Sequence, residues 1–127
     1  MKIEHLINEI IDNSKWILEL EEDWDDEGSC EYKRETWERA CLILRNIMID
    51  SNLQDRTTIP EISPGPNGSI DIHWKAERFE LLINIPDEKD KPASFYGDNY
   101  TKDCIKGKFN WHNIPYEIIT WLTNQLD

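Results

Sequence analysis

The sequence predicts an α+β domain: two N-terminal helices, an antiparallel meander of four to five strands and a C-terminal helix. Three observations predict it. Apolar residues recur at helical spacing as far as about residue 50, a cluster of Pro, Asn and Gly follows, and apolar and polar residues then alternate one by one from Ser69 to Ile85. The 127 residues fit one domain, 1–127, long enough to bury a core without disulfide or metal support.

Ile3, Leu6, Ile7, Ile10, Ile11, Ile17 and Leu18 alternate with polar residues at a 3.6 period, which predicts an amphipathic helix from residue 3 to about 22. Trp37, Ala40, Cys41, Leu44, Ile47 and Met48 form a second stripe and predict a helix from about Arg34 to Asp50. Asn67-Gly68 readily takes the positive φ angles of a tight turn, so Pro60–Ser63 should pair back on Ser69–Lys75. Phe79–Ile85 reads as the next strand, Ala93–Tyr96 as the fourth and Cys104–Phe109 as the fifth. The closing helix should begin at Asn113 as N-cap, with Pro115 in its first turn and Ile118, Trp121, Leu122 and Leu126 on its buried stripe.

Charge narrows the range of partners. The chain carries 26 Asp and Glu against 14 Lys and Arg, and residues 1–31 alone hold eleven carboxylates and two lysines, nine of the twelve excess negative charges. Phosphate binding needs a basic surface, so direct nucleic-acid binding is not expected. No apolar run approaches the roughly 18 residues of a membrane span, and charges at Lys2, Glu4 and Glu9 interrupt what would be a signal peptide. The expectation is a cytoplasmic chain without a membrane partner. Cys30, Cys41 and Cys104 are odd in number and form no CxxC pair, which predicts reduced thiols.

Three stretches resemble a known pattern. Trp24-Asp25-Asp26-Glu27-Gly28 reads WDxxG, Glu38-Arg39-Ala40 reads ERA, and Ser63 to Trp74 reads SPGPNGSIDIHW. From about Leu18 to Gly97 the chain resembles a family of small bacterial proteins with an acidic WDxxG loop before a helix and an SPxP hairpin, continued by Asp or Asn and Gly, that leads into a strand ending in Trp. The family has no assigned activity, so the resemblance implies the α+β layout and no mechanism. This chain departs from it with Cys30-Glu31-Tyr32-Lys33-Arg34 where Pro and Ser are usual.

The acidic loop invites a metal reading. Asp23, Asp25 and Glu27 occupy positions 1, 3 and 5 of an EF-hand loop and Gly28 position 6, but position 12, which should be a bidentate Glu, is Arg34. The expectation is therefore no metal and no cofactor: an interhelical loop with Gly28 at its turn, Trp24 folded over the helix pair and the carboxylates solvated. Catalysis has as little support. His5, His73 and His112 have no nucleophile at a motif spacing, and the one nuclease-like Asp87-x-Lys89 falls in a predicted turn.

What remains is binding. The sequence predicts a non-catalytic acidic module of the antitoxin, immunity or anti-defence inhibitor type, docking on a basic surface of another protein through Glu21, Glu22, Asp23, Trp24, Asp25, Asp26 and Glu27, with Tyr96 and Trp111 as further anchors. The alternatives are a metal-assisted hydrolase using the acidic loop, or a structural subunit that self-associates.

Overall fold

The apolar stripe Ile3, Leu6, Ile7 and Ile10 is buried along α1, Lys2–Asp12. The helix stops there because position 14, where the stripe calls for another apolar residue, is Ser14. Its hydroxyl donates to the Ile11 carbonyl at 2.7 Å and accepts the Trp37 indole N–H at 2.8 Å, which replaces a helical turn by a local bond. A 3-10 turn over Lys15–Glu19 then buries Ile17. The computed structural model, which describes residues 2–22, 24–25, 30–51 and 58–125, thus corrects the expected layout. Where two helices were expected at the N-terminus, one α-helix occupies it and ends ten residues before the expected stop near residue 22, while α2 begins at Arg34 as the second stripe predicts.

Helix α2, Arg34–Ser51, buries Trp37, Ala40, Ile43, Leu44, Ile47 and Met48. Five strands follow as an antiparallel meander in the order β1-β2-β3-β4-β5: β1 Glu61–Pro64, β2 Ile70–Lys75, β3 Glu80–Ile85, β4 Ala93–Asp98 and β5 Cys104–Phe109. The register places Ile62, Ile72, Ile83 and Phe95 in one row on the inner face, and Trp74, Leu81 and Gly97 in the next. Trp74 is fully buried. Helix α3, Tyr116–Gln125, packs Trp121 edge-on against Phe79, with centroids 6.0 Å apart, and directly over Gly97. A Cβ at Gly97 would lie 2.9 Å from the Trp121 ring, so this close approach requires glycine.

The class is therefore α+β, with three α-helices and a five-stranded sheet among the described residues. Helix α3 begins three residues after the expected Asn113. The Asn113 N–H is bound by the Asn110 carbonyl, and the residue before a proline is pushed out of helical backbone, so the helix forms only beyond Pro115. Leu126 lies outside the described residues. No helix among the described residues is long and apolar enough to cross a membrane.

Candidate functional site

The β1–β2 turn is built for close approach. Asn67 and Gly68 both have positive φ, 57° and 79°, as Asn-Gly predicts. Ser69 Oγ donates to the Pro66 carbonyl at 2.6 Å and accepts from Asn84 Nδ2 at 2.9 Å; the same amide donates to Asp71 Oδ1 at 2.8 Å. It is the φ of Gly68 that favours glycine, since a Cβ there would sit in ordinary contact, 3.5 Å from the Glu31 carbonyl and 3.4 Å from Asp87 Oδ2, the two groups that lie against the turn.

Onto this tip the chain lays the segment that follows the acidic loop. Tyr32 is buried and its hydroxyl donates to the Gly65 carbonyl at 2.7 Å. Trp24 packs on Tyr32 with ring centroids 6.5 Å apart and remains 40% exposed. Burial raises the Tyr32 pKa, and the carboxylates of Asp25 and Asp71 add to that rise, so both lie within Coulombic reach of one hydroxyl. Asp71 is itself raised, by burial above all, against the hydrogen bond from Asn84 and the nearby His73. Lys33 stands 3.7 Å from Asp87 across the same tip. The WDxxG stretch and the SPGPNG hairpin, far apart in sequence, therefore meet through Tyr32.

The expected site residues divide among three places. Glu21 and Glu22 are exposed, and Trp24 and Asp25 belong to the hairpin-tip surface; Asp23, Asp26, Glu27 and the EF-hand Gly28 lie outside the described residues. Trp24 rests on Tyr32, and not over a helix pair as expected. Tyr96 is 47% exposed on the outer face of β4, where its hydroxyl donates to Asp98 at 3.0 Å. Trp111 stacks on His112 at 3.7 Å and lines a separate cavity of about 280 Å³ with Glu35, Glu38, Arg39, Leu42 and Lys89.

His73 points outward as the strand phase predicts, and its Nε2 lies 3.3 Å from Glu80 Oε1 without the alignment of a hydrogen bond. Arg34, at the EF-hand's twelfth position, starts α2 and holds its guanidinium 5.9 Å from the Trp37 ring. Among the described residues no group of three His, Cys, Asp or Glu could hold a metal ion. Sequence reasoning missed Tyr32 and Asp71; the lone aromatic in the polar run Cys30–Arg34 was the available signal for the first.

No protein-family model, curated protein or solved structure matches the chain.

Proposed function

We propose that the chain is a non-catalytic, acidic binding module whose hairpin-tip surface docks on a basic surface of a partner protein, as inhibitors of the antitoxin, immunity or anti-defence kind do. One observation carries the reading: an exposed indole, Trp24, is pinned through buried Tyr32 to the Gly65 carbonyl, while Asp25 and Asp71 converge on the same point. A half-exposed Trp resting on a buried Tyr, with carboxylates near that Tyr, supports the reading of an interface anchor with electrostatic steering. The mobile entropy of a long side chain is not lost on binding, because the ring is already held.

The test uses a partner recovered from the native host and identified by mass spectrometry. Association is then timed at low and high salt for the wild type and for a variant with Glu21, Glu22, Asp25 and Glu31 changed to Gln or Asn. Steering by exposed charge is screened within a Debye length of about 8 Å at physiological salt. The wild type should therefore associate faster and slow more with salt. Equal rates and equal salt slopes would overturn the reading, as would a Trp24→Ala variant that binds unchanged.

A further inference from the structure

Inward residues of the sheet are buried under the helices, whereas on the opposite face the described side chains are exposed, as at Glu61, Tyr96 and Lys106, or half-buried, as at His73 and Leu82. The register lines up one outer row across all five strands: Glu61, His73, Leu82, Tyr96 and Lys106. The row is antisymmetric in charge about Leu82, with a carboxylate at the β1 end and an ammonium at the β5 end. The neighbouring row repeats the device with Lys75 on β2 and Asp98 on β4. Among the described residues Glu61, Lys75 and Lys106 form no ion pair within the chain.

We propose that this open face binds a second copy of the chain, sheet on sheet, about a two-fold axis running along β3. That operation lays β1 over β5 and β2 over β4 of the second copy. Glu61 then meets Lys106, Lys75 meets Asp98, His73 meets Tyr96, and Leu82 meets itself on the axis. The two Glu80 carboxylates also meet there, each beside its own His73 at 3.3 Å. An axis running across the strands instead sets Glu61 on Glu61 and Lys106 on Lys106, so charge selects the first arrangement.

Pairing through the sheet edges is disfavoured by the same residues. Proline cannot donate a ladder hydrogen bond, and Pro60 and Pro64 bracket the short β1 edge. Antiparallel pairing of β5 with a second β5 brings Lys106 and Lys108 opposite lysine. The open face measures roughly 20 by 20 Å from strand spacing and rise, at the small end for a specific interface, and each chain carries a net charge of −12. The dimer is accordingly weak and concentration-dependent.

Sedimentation equilibrium over roughly 10 µM to 1 mM, the range suited to a weak interface, tests it. The mass should climb from one chain toward two. Lys106→Glu and Glu61→Lys should each weaken association at least about tenfold, and the two together should restore it. Glu61 and Lys106 sit on opposite edges of their own sheet, about 19 Å apart at four strand spacings, so only contact between copies lets one change rescue the other. A single-chain mass at the highest concentration, a dimer indifferent to either substitution, or a double variant without rescue overturns the proposal. Neutralising the acidic loop should not weaken self-association, since it lowers the repulsion between two acidic chains, whereas it should slow docking at the hairpin tip, which keeps the two outcomes separate.

Discussion

Asp71 holds its proton more tightly in the folded chain than in the unfolded one, because burial penalises its charge more than Asn84 and His73 relieve it. A raised carboxyl pKa gives its full contribution to stability below the unfolded value of about 3.9, and loses it as pH rises through the folded pKa. Asp71→Asn keeps the acceptor oxygen for Asn84 and removes the charge, so it should melt above wild type at pH 7, with the advantage shrinking toward pH 3. A constant difference across that range would show that burial exerts no such penalty. Burial also pushes the half-buried Cys41 thiol up to about 12, with Glu38 adding to it, whereas Cys30 and Cys104 are exposed. Iodoacetamide at pH 8 should therefore modify two thiols quickly and Cys41 far more slowly, because the thiolate is the reactive form. Mass mapping of the labelled peptides decides it.

Among the elements, the strands were legible almost to the residue. Alternation of period two forces Ile70, Ile72 and Trp74 to one face and leaves little freedom in register, and Asn67-Gly68 marks the turn between β1 and β2. Trp74→Ala should accordingly cost about 3–5 kcal/mol in a denaturant melt, as the loss of a fully buried indole does. The helix ends were less legible, since what sets them is tertiary. Ser14 stops α1 because Trp37, 23 residues on, needs an acceptor for its buried N–H. Ser14→Ala should then cost about 1–3 kcal/mol by orphaning that donor, although a solitary Ser in a helical pattern looks harmless. Gly97 is similar: nothing nearby in sequence requires a glycine on β4, yet Trp121 of α3 lies against it. Gly97→Ala should destabilise by about 1–3 kcal/mol through overpacking, and a melt near wild type would mean that α3 sits further from the sheet.

For the molecule as a whole, the charge imbalance was plain in the sequence, and its placement was not. Carboxylates from the acidic loop and from β2 come together only because the hairpin tip receives Tyr32, a contact no periodicity encodes. Neutralising Glu21, Glu22 and Glu31 should leave the melting temperature unchanged or slightly higher, because exposed like charges repel; a clear drop would mean that they pair within the fold. The Tyr32–Gly65 bond and the exposed Lys33–Asp87 pair hold the segment before α2 to the hairpin tip by two side chains, whereas the strands below it are held by successive ladder bonds. Such a latch can open while the meander stays folded, as a local unit of lower stability. Opening it would remove the support under Trp24, which rests on Tyr32. On the proposed docking, affinity would fall in proportion to the latched fraction. Tyr32→Phe should speed tryptic cleavage after Lys33 and Arg34, leave hydrogen-exchange protection in β2 and β3 untouched and, on the proposed docking, weaken binding without altering the exposed indole.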